Sequence, residues 1–249
     1  MKRLKILGVP IDKVDMDSAI SRVADCLKQK KKCVVCTPNS EIVMLAQKSS
    51  ELRNFIETAD LVVPDGIGLV LASKIVKKPL SERVTGIDLM DRILGYCSEN
   101  GKSVFIMGSR PGVAEKAAAN ISQKFKDIRF AGTHHGYFKG YHTGCENSPE
   151  EAEVIEKINA TKPDVLFIAM GAPKQELWIA KYRDRLESNI IMGVGGSADV
   201  YAGEVQRAPM AYQKLGLEWL YRLIKEPWRY KRMMALPAFV VEVIKRGEN

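Results

Sequence analysis

Short apolar runs alternate with stretches of helical periodicity along most of this chain. The apolar runs predict buried strands at about 5–9, 33–36, 61–63, 103–107, 129–131, 165–170 and 190–194. Helical spacing lies between them, at about 17–30, 40–49, 51–58, 67–76, 86–99, 112–125, 150–160 and 174–186. Because strands and helices that alternate in this way build a helix-covered parallel sheet, residues 1–210 are predicted to form a Rossmann-like α/β core.

Residues 211–249 have a different pattern, in which aromatic, cationic and aliphatic side chains are mixed. Trp219 and Trp228 are two of the three tryptophans, and half of the net charge of +8 lies from Lys214 onward. Such a mixture suits the headgroup boundary of an anionic membrane, so we predict a helical appendage that touches a membrane surface. An ordinary pair of C-terminal helices, with its aromatics on the core and its cations in solvent, is the alternative.

Proline positions divide this appendage. Pro227 disfavours helix at the residue before it and is best tolerated where a helix begins. We therefore predict short helices at about 211–226 and 227–235, and a third after Pro237. Four cations recur at intervals of three, four and three residues, as expected for one side of a helix: Arg222, Lys225, Arg229 and Arg232.

Length and composition limit the class of protein. A chain of 249 residues with 46% hydrophobic content can bury one large core, and no polar linker divides it. The apolar run after the basic N-terminus is too short for a signal peptide, and no run approaches the roughly 18 apolar residues of a membrane span. Five cysteines without framework spacing indicate reduced thiols. We expect a cytoplasmic protein that is peripheral on the inner face of the membrane.

Three groups of residues resemble metal ligands by type: Cys33 with Cys36, Asp15 with Asp17, and the loop residues His134, His135, His142 and Cys145. The cysteines lie in a predicted buried strand without a second pair, and the loop spacing is irregular. The aspartates directly precede a helix, where a carboxylate caps the first turn. We therefore expect neither a metal nor another cofactor.

Polar residues follow two of the predicted strands. Thr37, Asn39 and Ser40 come after the strand at 33–36, and Asp65 comes after the one at 61–63. Ligands of parallel sheets bind beyond the carboxyl ends of the strands, so these side chains are candidates for a site. Asn39 or Ser40 and Asp65 also suit the capping of the next helix. In the functional interpretation Asp65 instead projects an ionised carboxylate into the crevice, where it can act as a general base.

Three glycine-containing turns also follow strands and open helices: Gly108-Ser109-Arg110-Pro111-Gly112, Gly171-Ala172-Pro173-Lys174-Gln175-Glu176 and Gly193-Val194-Gly195-Gly196-Ser197. Backbone N–H groups at such helix starts can hold a diphosphate, which predicts a nucleotide or phosphate site. The chain has no GxGxxG after its first strand and no Walker A sequence. A nicotinamide dinucleotide fold is therefore disfavoured.

These segments together resemble the WecG/TagA/CpsF family of glycosyltransferases. The resemblance covers nearly the whole chain and is carried by Thr37-Pro38-Asn39, Asp65-Gly66-Ile67-Gly68, Arg83-Val84-Thr85-Gly86-Ile87-Asp88-Leu89, Gly171-Ala172-Pro173-Lys174-Gln175-Glu176, Gly193-Val194-Gly195-Gly196, Ala202-Gly203, Arg207-Ala208-Pro209 and Gly216-Leu217-Glu218-Trp219. Within the family the chain looks most like the TagA branch. That likeness implies transfer of N-acetylmannosamine from a UDP donor to undecaprenyl-diphosphate-linked N-acetylglucosamine, the β-1,4, inverting step that starts the wall teichoic acid linkage unit.

The resemblance also implies roles for particular residues and a reaction without metal. Thr37, Asn39 and Gln175 match positions that line the family's pocket. That Asp65 is the base of this reaction is a hypothesis from the residues themselves. Arg83 is either functional or the partner of Asp88 or another carboxylate. The resemblance places further residues in the appendage 211–249, here called the tail, where they meet the lipid diphosphate or departing UDP: Arg222, Arg229 and Arg232.

Two segments depart from the family pattern. Ser197-Ala198-Asp199 lacks the aromatic residue that many members carry before the aspartate, which leaves the role of Asp199 open. The segment 134–148 is long, and a contribution of Tyr137 to the site is an open question.

Other functions remain as alternatives. Relatives that transfer N-acetylmannosaminuronic acid or glucose share the same framework. A peripheral membrane protein that only senses a nucleotide would use the same turns and tail without a base. The basic pI of about 9.2 suggests a nucleic-acid binder, but helices are predicted to cover the sheet, so no nucleic acid is expected as a partner. A homo-oligomer is possible.

Overall fold

The computed structural model describes residues 2–246, with all side chains in that range except those of Arg229 and Lys231. Its strands are β1 Arg3–Ile6, β2 Val9–Asp12, β3 Cys33–Cys36, β4 Leu61–Val62, β5 Ser103–Gly108, β6 Arg129–His134, β7 Val165–Ala169 and β8 Ile190–Gly193. Its helices are α1 Met16–Lys28, α2 Ser40–Ala46, α3 Ser50–Thr58, α4 Ile67–Ile75, α5 Gly86–Glu99, α6 Val113–Lys124, α7 Pro149–Thr161, α8 Lys174–Tyr182, α9 Ser197–Tyr201, α10 Met210–Lys214, α11 Glu218–Lys225, α12 Tyr230–Met233 and α13 Ala235–Arg246.

Six of these strands form one parallel sheet in the order β4-β3-β8-β7-β5-β6. The central strands are buried on both faces, and helices cover each face. Side chains alternate across β3, so Cys33 and Cys36 lie in different core clusters on opposite faces of the sheet. The two thiols of the CxxC sequence therefore do not meet. The predicted Rossmann-like α/β fold with a parallel, helix-covered sheet is confirmed.

The prediction of one strand at 5–9 is wrong. Leu7 and Gly8 have φ of 50° and 79°, so the chain makes a two-residue turn within the apolar run. That turn gives β1 and β2 antiparallel pairing in a separate two-stranded sheet. Arg3 fixes this hairpin by an ion pair to Asp12 at 2.9 Å.

The tail forms more and shorter helices than predicted. Gly216, at φ 71°, separates α10 from α11 within the range predicted as one helix. Pro227 opens a short 3₁₀ turn, Pro227–Arg229, as its fixed φ favours. The last helix, α13, already begins at Ala235, because a proline in the first turn removes no intrahelical hydrogen bond.

Helix α13 packs into the core. Phe239 and Val243 are buried in the cluster beneath α2 and α4. Removing the tail would therefore expose core surface, and a boundary at 210/211 between core and appendage stays a prediction. Among residues 2–246, no helix combines the length and apolar character needed to cross a bilayer.

Candidate active site

A cavity of about 750 Å³ lies at the carboxyl edge of the parallel sheet. Its walls are the turns after β3, β4, β5, β7 and β8, and residues of the tail close one side. The predicted site residues that line it are Thr37, Asn39, Asp65, Arg83, Ser109, Tyr137, Gly171, Ala172, Gln175, Gly195, Gly196, Asp199, Arg222 and Arg232. The topology thus brings segments from distant parts of the sequence to one crevice.

Asp65 lines this cavity and does not cap α4, the helix that follows it. Gly66, at φ 97°, is the residue before α4 and occupies the cap position without a side-chain hydrogen bond. The partly buried Asp65 carboxylate receives a hydrogen bond from the Gly86 N–H at the start of α5. Thr37 lies beside the same Gly86 backbone. The hydroxyl and the carboxylate therefore share one corner of the site.

Burial raises the pKa of Asp65 to about 6. The Gly86 hydrogen bond and the charges of Arg83 and Arg222 act in the opposite direction, and Glu218 raises the pKa further. The carboxyl is therefore mostly ionised at neutral pH yet takes up a proton readily. Both properties suit a general base.

Asn39 caps α2, a role that the sequence left open between Asn39 and Ser40. Its side-chain oxygen accepts a hydrogen bond from the Ile42 N–H at 3.0 Å and caps α2. The carboxamide NH₂ group and the second acceptor site of this oxygen are what Asn39 can offer to a ligand.

Arg83 pairs with Glu218 of α11 rather than with Asp88. Its guanidinium lies 2.7 Å from Glu218 Oε2 and donates to the Gln213 carbonyl at 3.0 Å. Asp88 instead accepts two hydrogen bonds of 2.7 Å from Arg207, which also reaches Glu218 Oε1 at 3.5 Å. This ion-pair network joins the segment before α5 to the tail helices beside Asp65.

The tail brings two of its predicted arginines to the cavity. Arg222 and Arg232 line it, and Arg232 Nε lies 2.7 Å from Glu41 Oε1 of α2. The side chain of Arg229 is outside the described part of the structure. Trp219, expected at the lipid surface, lines the cavity instead, whereas Trp228 is 71% exposed.

The opposite wall is built from the turns after β5 and β8. Ser109 donates a hydrogen bond to Asp199 at 3.0 Å, which gives Asp199 a structural contact inside the cavity. Tyr137 is 67% exposed at the rim. Gly108 is not among the lining residues: a Cβ there would lie 2.4 Å from the Ala169 backbone, so this glycine permits β5 and β7 to approach closely.

The turns after β7 and β8 meet through Gln175. The N–H groups of Gly171 and Gly195, predicted to hold a diphosphate, both donate to Gln175 Oε1, at 3.2 and 3.0 Å. The two glycines therefore line the cavity with backbone whose N–H groups are already paired. Burial raises the pKa of the neighbouring Glu176 to about 7.

The two aspartates considered as metal ligands have other partners. Asp15 caps α1 at Ser18, and Asp17 pairs with Arg92 at 2.9 Å. Across the described residues, no three His, Cys, Asp or Glu side chains are grouped so as to hold a metal ion.

Sequence reasoning did not single out several residues of the site. Glu218, Glu41 and His142 line the cavity, and Arg207 completes the ion-pair network. Glu218 and Arg207 lie in segments that carry the family resemblance, which was a usable signal. Nothing in the sequence pattern marked Glu41, and His142 was considered only as a metal ligand.

A partly buried carboxylate beside guanidinium groups, at the carboxyl edge of a parallel sheet, is an arrangement typical of enzymes that transfer groups from phosphorylated donors. A family model described as the glycosyl transferase WecG/TagA/CpsF family matches residues 4–248, and the chain belongs to that family. One relative, from Bacillus spizizenii (strain ATCC 23059 / NRRL B-14472 / W23), is 35% identical over 242 residues, 95% of this chain and 90% of its own length. Another, from Staphylococcus aureus (strain MW2), is 35% identical over 245 residues, 98% of this chain and 92% of its own. Both are named N-acetylglucosaminyldiphosphoundecaprenol N-acetyl-beta-D-mannosaminyltransferase.

Proposed function

We propose that this glycosyltransferase moves N-acetylmannosamine from UDP-N-acetylmannosamine to N-acetylglucosaminyl diphosphoundecaprenol, in the linkage unit of wall teichoic acid. The observation that carries the chemistry is the Asp65 carboxylate, which does not cap α4 and lies in a cavity bordered by Arg83, Arg222 and Arg232. The donor and acceptor are taken from the names of relatives that match nearly the whole chain.

In the proposed reaction Asp65 removes the proton of the acceptor 4-hydroxyl while the oxygen attacks the anomeric carbon. A β-1,4 bond forms on one face of the sugar as the bond to UDP breaks on the other, so the configuration inverts. UDP leaves with the electron pair, and the proton stays on Asp65. Arg222 and Arg232 are placed to offset the charge that develops on the diphosphate. Thr37 and Asn39 are assigned to orienting the sugars, and Gln175, whose amide is paired within the protein, to holding the turns beside them.

The donor assignment is tested by measuring UDP release with one lipid acceptor and three donors, which carry N-acetylmannosamine, N-acetylmannosaminuronic acid or glucose. The proposal predicts the largest kcat/KM with UDP-N-acetylmannosamine. A preference for either of the other donors would replace the substrate while keeping the reaction class.

We further propose that the tail places the enzyme on the inner face of the membrane. Ile224 is 60% exposed and Trp228 is 71% exposed, and both lie among cations. Replacing both with Gln should weaken binding to vesicles containing anionic lipid, because less apolar surface enters the headgroup region. Leu71→Gln, at a 43% exposed leucine outside the tail, is the control. Equal vesicle binding by all three proteins would contradict a membrane role for these side chains.

A further inference from the structure

We propose that Glu176 is a positioning residue, which orients the Gln175 carboxamide so that this amide ties together the turns after β7 and β8. The consequence for catalysis rests on the function proposed above. The geometric claim concerns the protein alone and is tested separately below.

The Gln175 side chain makes three hydrogen bonds inside the protein. Its Oε1 accepts from the Gly171 N–H and the Gly195 N–H, at 3.2 and 3.0 Å, and its Nε2 donates to Glu176 Oε1 at 2.8 Å. Gln175 and Glu176 are each 3% exposed. One buried amide thus connects the ends of two adjacent strands, at the wall of the cavity.

Glu176 and the two glycine N–H groups together fix the orientation of this amide. A carboxamide can exchange its oxygen and nitrogen by a half-turn of its terminal bond. The reversed orientation would set the NH₂ group against two N–H donors and the oxygen against the carboxyl of Glu176. An acceptor at Glu176 therefore favours the orientation in which Oε1 receives both glycine N–H groups.

A second observation shows that the backbone makes room for this side chain. A Cβ built on Gly193 would lie 2.6 Å from Gln175 Nε2 and 3.0 Å from its Cδ. The φ of Gly193 is outside the left-handed region, so the space taken by Gln175, not backbone conformation, requires glycine there. Gly193→Ala would thus displace the amide without changing Glu176.

Stability does not account for Glu176. Its Oε2 has no hydrogen-bond partner among the described residues, and a buried carboxyl with an unpaired oxygen is costly. Two charged residues act on the Glu176 carboxyl: Glu41 opposes its ionisation, and Arg232 favours it. A residue that contributes little stability and holds the wall of the cavity is better explained by positioning.

The test compares four variants with the wild-type chain: Glu176→Met, Glu176→Gln, Gly193→Ala and the control Gly95→Ala. Met removes the acceptor at similar volume, and Gln retains one. The control adds a methyl in α5 at an ordinary 3.5 Å from Phe125. Amide exchange at Gly171 and Gly195 is followed by NMR, melting temperature checks folding, and acceptor-dependent UDP release gives kcat and KM.

Glu176→Met and Gly193→Ala should speed exchange at both glycine amides by about tenfold or more, as expected for lost hydrogen bonds. Their kcat/KM should fall by at least about tenfold, since the turns lose their positions. Glu176→Gln and Gly95→Ala should stay near the wild type. If Glu176→Met does not fold, Gly193→Ala decides whether the amide ties the turns together, and Glu176→Gln decides the role of the acceptor.

Unchanged exchange in both Glu176→Met and Gly193→Ala would overturn the tie. Glu176→Gln as impaired as Glu176→Met would overturn the role of an acceptor at this position. Faster exchange with unchanged kcat/KM would overturn the link to catalysis. If the wild type releases no UDP with the proposed substrates, the proposed function fails, and exchange alone decides the geometric claim.

Discussion

Replacing Asp65 with Asn is expected to stabilise the folded protein at neutral pH. Burial raises the pKa of this carboxyl from an ordinary value of 3.8 to about 6, so the ionised form is less favourable in the folded chain than in the unfolded one. Asn keeps the shape and can accept the Gly86 hydrogen bond, but it carries no charge. The protein therefore holds an unfavourable charge at the position assigned to the base.

The size of the effect follows from the pKa. A difference of about two pKa units corresponds to about 3 kcal/mol, which is an upper limit because the cavity admits water to Asp65. We expect a gain of about 1–2 kcal/mol in the free energy of unfolding. For a chain of this length that is a rise in Tm of roughly 2–8 °C.

The pH dependence has a definite sign. Below about pH 3 the carboxyl is protonated in both folded and unfolded chains, so wild type and Asp65→Asn should be equally stable. The wild type loses stability relative to the variant as the pH rises from 3.8 towards 6, and the difference is constant above that. Urea unfolding at pH 3 and pH 8 measures both ends of this range.

Asp88→Asn is the matched control. Burial alone would raise the pKa of Asp88, but hydrogen bonds from Arg207 and Thr85 outweigh it and lower the pKa. Its replacement should therefore destabilise the protein at pH 8 and less so at low pH, the opposite of Asp65→Asn. An Asp65→Asn variant that is less stable than wild type at pH 8 would refute this reasoning. So would a variant that is more stable than wild type by the same amount at both pH values.

Two further predictions concern ion pairs that the tail makes with the rest of the chain. Arg207→Met leaves Asp88 and Glu218 without their shared partner. It should therefore lower the free energy of unfolding, measured with urea, by about 1–3 kcal/mol, and lower the kcat of UDP release. An unchanged kcat would contradict the role of the ion-pair network. Arg232→Met and Glu41→Gln should show a coupling of about 0.5–1 kcal/mol in a double-mutant cycle of thermal stability, since the pair is partly exposed. A coupling near zero would contradict the contact.

Most of the sheet was predictable because its strands are buried on both faces and read as continuous apolar runs. The hairpin of β1 and β2 escaped prediction, because its turn consists of Leu7 and Gly8 inside one such run. In the tail, the break at Gly216 depends on a positive φ that helical spacing does not reveal.

The site was predictable where local position fixes it. Thr37, Asn39 and Asp65 follow strands, and parallel topology brings them to one edge. The partner of Arg83 was not predictable, because Glu218 is 135 residues away and arrives through the packing of the tail. Whether Asp65 or Gly66 would cap α4 likewise depends on backbone geometry that the sequence leaves open.

The most direct measurement is UDP release from UDP-N-acetylmannosamine by the full chain, with and without a short-chain polyprenyl-diphosphate-N-acetylglucosamine, for wild type and Asp65→Asn. The account predicts acceptor-dependent release by the wild type, and its loss in a folded Asp65→Asn variant that still binds UDP. Full release by Asp65→Asn would contradict the assignment of the base. UDP binding by a folded wild type without any release would contradict the transfer itself and favour a nucleotide sensor.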